Sequence, residues 1–112
     1  MTKSAVFAVI MVFVAFAGYA AEKPRPFSCT GSMIEPTSMA PSPKTVQLTL
    51  SSAQNVTVDL GQGNISARVL SNNRIQLKFK TKDFVGEFFH YTNDLFLIYG
   101  SGHLARLTCN RS

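Results

Sequence analysis

The chain has 112 residues, 46% hydrophobic and 15% charged, with a formal net charge of +5 and two cysteines. One domain of ordinary size fits in that length, so a multidomain enzyme and a multi-span membrane protein are excluded. The apolar residues are unevenly spread: 16 of the first 20 positions are hydrophobic, and the remainder has a normal globular composition, too apolar for a disordered chain.

The N-terminus comes first. Lys3 is followed by an uninterrupted apolar run from Ala5 to Ala17, then by Gly18-Tyr19-Ala20, with small residues at −3 and −1 of a cut after Ala20. This is the three-part order of a secretory signal peptide, so 1–20 is predicted to be removed and 21–112 to form one domain. A retained membrane anchor is the alternative, at the lower limit of spanning length. The mature chain carries 10 Lys+Arg and 6 Asp+Glu, a net of +4. That is mildly basic and lacks the clustered cations and stacking platforms of a nucleic-acid binder. The expected compartment is periplasmic or extracellular, with no integral membrane segment after cleavage.

Cys29 and Cys109 are the only cysteines. In an exported chain they read as one disulfide joining the start of the domain to its end. Two Cys and two scattered His have no metal-ligand spacing, so no metal and no cofactor is expected.

Between them the sequence alternates with period two. Val46, Leu48 and Leu50; Val56, Val58 and Leu60; Ile65, Ala67 and Val69; Ile75, Leu77 and Phe79; and Ala105, Leu107 and Cys109 each alternate with polar residues. Each set predicts a half-buried strand. Further strands are expected near 84–91 and 94–99, and a short one around Cys29. The turns are placed at 61–64, 71–73, 81–83, 92–94 and 101–102. The first is read as a four-residue loop pairing Leu60 with Ile65. The second is read as a three-residue loop pairing Val69 with Ile75, with Asn73 left-handed. Seven or eight short strands joined by consecutive hairpins predict an all-β antiparallel meander, a closed or nearly closed barrel, with a β-sandwich as the alternative.

Two segments break the pattern. The hairpin 84–99 is apolar on both faces, Phe84, Phe88 and His90 on one and Val85, Glu87, Phe89 and Tyr91 on the other. Its outer face is expected to be covered by the N-terminal loop, to bind a partner as an exposed aromatic patch, or to pair with a second copy. The second segment, Gly31 to Lys44, carries Pro36, Pro41 and Pro43 and reads as a long loop that plugs one barrel end or binds. The candidate binding residues are therefore Phe88, Phe89, His90, Tyr91, Phe96 and Tyr99 of the hairpin, and Met33, Ile34 and Met39 of the loop.

Arg68, Arg74, Lys78, Lys80 and Lys82 are expected to form a basic stripe on one strand face. It is either a solvated face that deters edge pairing or a site of attraction to an anionic surface. Ser101 and His103 lie two apart in a turn, without a nucleophile elbow or oxyanion-hole motif, so no catalysis is expected from them.

The segments Phe27-Ser-Cys-Thr-Gly31 and Gly86-Glu-Phe-Phe-His-Tyr-Thr-Asn-Asp-Leu-Phe-Leu-Ile-Tyr99 resemble small exported proteins of alphaproteobacteria that carry no assigned activity. That resemblance implies an exported compartment. The small disulfide-closed β domain also resembles the C-type lysozyme inhibitors of the bacterial envelope. Their Ser-Gly-x-Arg-Tyr-like loop motif is missing here, and a +4 chain is mismatched to basic lysozyme, so no inhibitory residue carries over. The functional expectation is an exported non-catalytic binding or structural module of the cell envelope. A carrier of a small apolar ligand, with Phe79, Phe88 and Phe96 lining a barrel cavity, and an inhibitor of a secreted hydrolase are the alternatives. The partner is an envelope component, a protein or an anionic surface.

Overall fold

The computed structural model describes residues 23–112; the predicted signal peptide lies outside the described residues. Eight antiparallel strands follow one another around a closed barrel: β1 (Arg25–Ile34), β2 (Pro41–Leu50), β3 (Asn55–Asp59), β4 (Asn64–Asn72), β5 (Gln76–Lys80), β6 (Phe84–Phe89), β7 (Asp94–Tyr99) and β8 (Leu104–Arg111). This is the predicted meander, closed by pairing of β1 with β8. Most residues predicted to face inward meet on the barrel axis, but Ile65 and Ile75 are corrected: they are 40% and 61% exposed, because β4 buries only Ala67 and Ile75 lies in the loop before β5. Val46, Leu48, Val56, Val58, Leu77, Phe79, Phe88, Leu95, Leu97 and Leu107 are all fully buried. Period-two alternation buries one face of most strands, β4 contributing only Ala67, and closure leaves a free edge only where a strand outruns its neighbour.

The disulfide lies inside this core. Cys29 and Cys109 are direct cross-strand neighbours of β1 and β8 and are both buried. Two glycines set how closely the wall packs. A Cβ on Gly31 would fall on the backbone of Arg106 and Leu107, so β1 and β8 approach more closely than a side chain permits. A Cβ on Gly86 would fall on the ring of Phe79, which occupies the space that the glycine leaves.

Several expectations are corrected. Gly31 to Lys44 is not a loop. β1 runs to Ile34, β2 begins at Pro41, and only Glu35 to Ala40 connects them. Pro41 and Pro43 sit opposite Ile34 and Ser32. They are tolerated because β3 reaches only as far as Gln47, leaving the first residues of β2 with a neighbour on one side alone. The segment is therefore mostly barrel wall, and its Glu35–Ala40 turn lies against the β7–β8 loop, where Pro36 neighbours Gly102.

The β3–β4 register is shifted by two residues from that expected, with Val58 opposite Ile65 and Val56 opposite Ala67. Asp59 Oδ1 accepts hydrogen bonds from Gly61 N–H (2.8 Å) and Gly63 N–H (3.2 Å), which fixes a loop beginning one residue earlier, at Leu60. A two-residue shift preserves the buried face, so the periodicity could not reveal it.

The β4–β5 loop spans Asn73 to Ile75, and a bulge between Val69 and Ser71 offsets the ladder, leaving Leu70 exposed. Asn73 is not left-handed; its Oδ1 accepts from Ile75 N–H and Gln76 N–H instead. The left-handed non-glycine residues are Met39 (φ 57°) and Asn93 (φ 61°).

Candidate binding surfaces

The inner face of β6 is Phe84, Gly86 and Phe88, which places Glu87 outside and His90 at the rim. Phe88 is therefore core and not a contact residue: its ring packs against Phe27 (5.2 Å between centroids) and edge-on to His90 (5.7 Å). Phe79 is likewise fully buried and Phe96 points outward, so the three rings proposed to line a cavity do not share one. Met33 packs against the core as well.

The outer face of the aromatic hairpin is uncovered. Phe89 and Phe96 meet edge to face at 5.9 Å, and the guanidinium of Arg106 lies 6.0 Å from the Phe96 centroid. Cross-strand register then draws an apolar row across four strands. Val85 of β6 lies opposite Ile98 of β7, Ile98 opposite Leu104 of β8, and Leu104 opposite Ile34 of β1. Ile98 and Leu104 are 43% and 40% exposed, high values for aliphatic side chains on a sheet. The aromatic hairpin and the β1–β2 hairpin, two separate signals in the sequence, thus share one outer surface. Sequence reasoning missed Ile98 and Leu104 because each is an ordinary strand residue, and only closure of β8 onto β1 brings them beside Ile34.

The basic stripe is only partly assembled. Arg68 and Lys80 are cross-strand neighbours on the outer face. Lys78, half-buried, lies 3.8 Å from Glu87, whose other oxygen accepts a bond from Gln76 Nε2 at 3.1 Å. Arg74 and Lys82 are corrected: β5 ends at Gln76 and Lys80, so both sit in turns and not on its face.

The remaining candidates separate to the two ends of the barrel. At the end where β1 finishes, Met39 is 67% exposed at the tip of the β1–β2 turn. Beside this turn, His103 Nε2 lies 3.8 Å from Glu35 and His103 Nδ1 lies 2.9 Å from Ser101 Oγ, an exposed chain tying the turn to the β7–β8 loop. Tyr99 turns inward below it, its ring 5.2 Å from Phe84 and its buried hydroxyl without a hydrogen-bond partner. Burial, and then the nearby Asp83 carboxylate, push the Tyr99 phenol above its ordinary range.

At the other end, His90 Nε2 meets Asn72 Oδ1 at 3.0 Å, and His90 N–H donates to the Ile75 carbonyl at 2.9 Å. Burial, and then the charge of Arg25, hold the His90 imidazole below its ordinary range, so neutral pH leaves it uncharged. Tyr91 beside it is 78% exposed.

Among the described residues no group of three or more His, Cys, Asp or Glu is arranged to hold a metal ion, and no helix is long and apolar enough to cross a membrane. The internal disulfide is suited to an oxidising compartment. Comparison with protein-family models, with curated proteins and with solved structures finds no match to this chain.

Proposed function

We propose that the protein is an exported, non-catalytic binding module of the cell envelope, periplasmic or secreted, whose partner docks on the outer apolar row of β6, β7, β8 and β1. The observation that carries this reading is the register that aligns Val85, Ile98, Leu104 and Ile34 outside a barrel already filled by its own side chains. An aliphatic row with the Phe89–Phe96 pair beside it and Arg106 at its margin has the composition of an interface centre: aliphatic and aromatic anchors with an arginine at the rim. The signal-like N-terminus and the disulfide support the compartment.

Replacing Ile98 and Leu104 together, Ile98→Asp with Leu104→Asp, tests the surface. Both side chains already contact water, so the barrel is expected to stay folded, with a melting temperature a few degrees lower because the two carboxylates face each other across the ladder. Retention of the protein by the envelope fraction of its host, read at about 1 M salt where charge attraction to lipid is screened, is expected to fall by at least about tenfold, the loss of one well-placed anchor. Unchanged retention by a folded double variant would reject the row as the contact surface.

A further inference from the structure

The two ends of the barrel differ in charge. Lys23 and Arg25 at the head of β1, Arg74 in the β4–β5 loop and Arg111 at the end of β8 all lie at one end. Among the described residues the acidic side chains there are Asp94, at the head of β7, and Glu87, near the end of β6 and 3.8 Å from Lys78. The opposite end intersperses Glu35, Asp59 and Asp83 with Lys44, Lys80 and Lys82.

The cationic end also projects apolar groups. Ile75 is 61% exposed and Tyr91 78%, on two loops joined by the His90 N–H to Ile75 carbonyl bond. A cleft of about 340 Å³ opens between the head of β1 and the β2–β3 loop. The core residues Leu50 and Leu77 form its floor, Ser51 and Asn72 its wall, and Lys23 and Arg25 its rim. A phosphate-sized anion at that rim would meet two cations and a hydroxyl, and Ile75 and Tyr91 stand exposed on loops at the same end.

We propose that this end of the barrel docks on the surface of an anionic phospholipid bilayer, a lipid phosphate seated between Lys23 and Arg25 and the Ile75 and Tyr91 tips entering the interfacial layer. Charge complementarity selects the occupant. Among the described residues, four cations with few opposing carboxylates favour an anionic sheet, and an aliphatic tip beside a tyrosine, apolar in body and polar at its end, suits the bilayer boundary better than water or a polyanion groove. This surface is distinct from the apolar row, so the two readings stand or fall separately.

The chain contains no tryptophan, so Tyr91→Trp supplies a single reporter. The disulfide-bonded protein carrying it is mixed with vesicles of phosphatidylcholine alone, or with about 30 mol % phosphatidylglycerol to supply the negative surface potential. The expected result is a blue-shifted emission and at least about tenfold tighter binding with the anionic vesicles, lost on raising the salt to about 1 M, where the screening length falls to about 3 Å. Lys23→Glu with Arg74→Glu, both exposed, should abolish the preference, whereas Lys80→Glu with Lys82→Glu at the opposite end should leave it within about twofold. Ile75→Ser should weaken binding without changing its salt dependence. Equal binding to both vesicle types, equal sensitivity to the two charge-reversed pairs, or tighter binding to a single-stranded oligonucleotide at the same salt would overturn the proposal.

Discussion

The β1–β8 seam and the β4–β5 junction are antiparallel ladders of the same barrel, built to different standards. At the seam, Phe27 to Ile34 pair with Arg111 to Leu104 without interruption, Gly31 lets the backbones press together, and a disulfide crosses the interior. At β4–β5 the register slips at a bulge, Leu70 is exposed, and Ile75 at the loop tip is mostly in water. The chemistry of the two ladders is alike; what differs is the chain between their strands. Cys29 and Cys109 are 80 residues apart, whereas β4 and β5 are joined by a three-residue loop. Closing a long loop costs more conformational entropy than closing a short one. Barrel closure is therefore where close packing and a covalent link contribute most, and a hairpin between neighbours tolerates an irregularity.

The largest expected effect follows from that difference. Replacing both cysteines, Cys29→Ala with Cys109→Ala, returns the closure entropy to the unfolded chain, roughly 4.5 kcal/mol for a loop of this length, and adds the loss of packing at two buried positions. Denaturant unfolding should show the midpoint collapse although the rest of the hydrophobic core is untouched. Amide hydrogen exchange in the weakened protein should rise first along β1 and β8. A variant that loses less than about 1 kcal/mol would mean that the ladder alone closes the barrel and that the entropic account of the seam is wrong.

The sequence made the seam legible and left the other junction obscure, for physical reasons. Two cysteines at the ends of an alternating pattern favour closure over a sandwich, and most inward residues follow from period two, with Ile65 and Ile75 the exceptions. Register is another matter. Asp59 capping Gly61 and Gly63, and Asn73 capping Ile75 and Gln76, decide where each loop begins; the two-residue slip at β3–β4 leaves hydrophobic faces unchanged, and the larger one at β4–β5, which sets Val69 opposite Phe79 and not Ile75, is absorbed by the bulge. The prolines at 41 and 43 misled because their strand has a neighbour on one side only there, a fact about β3's length and not about β2's sequence. The candidate surfaces were legible residue by residue at Phe89, Phe96 and Ile34. Their joining through Leu104 depends on closure.

An intermediate effect is expected at the irregular junction. Deleting Leu70 removes the extra residue of the bulge and brings Val69 and Ser71 into a continuous ladder opposite Phe79 and Lys78. Because Leu70 is exposed and the loop beyond it is untouched, the stability change should stay within about 1 kcal/mol of the parent. A loss as large as that from removing the disulfide would show that the bulge supplies the bend that barrel closure needs, and the contrast between the two junctions would disappear.

The smallest effect concerns His90, which fastens the loose side of the barrel through Asn72 and Ile75. Its imidazole is held below the ordinary value of 6.5 by burial and by Arg25, so the unfolded chain takes up a proton at a higher pH than the folded one. In that window the unfolded state binds more protons, and stability must fall as the pH drops. The decline should begin near pH 6.5 and level off once the folded state is protonated too, with full stability kept at neutral pH and above. His90→Gln preserves a donor for Asn72 and removes the titration, so its melting temperature should lose this acid-side slope while the parent retains it. The same slope in both proteins would assign the acid sensitivity to carboxylates elsewhere in the barrel and remove His90 from the account of what holds β4 and β5 against β6.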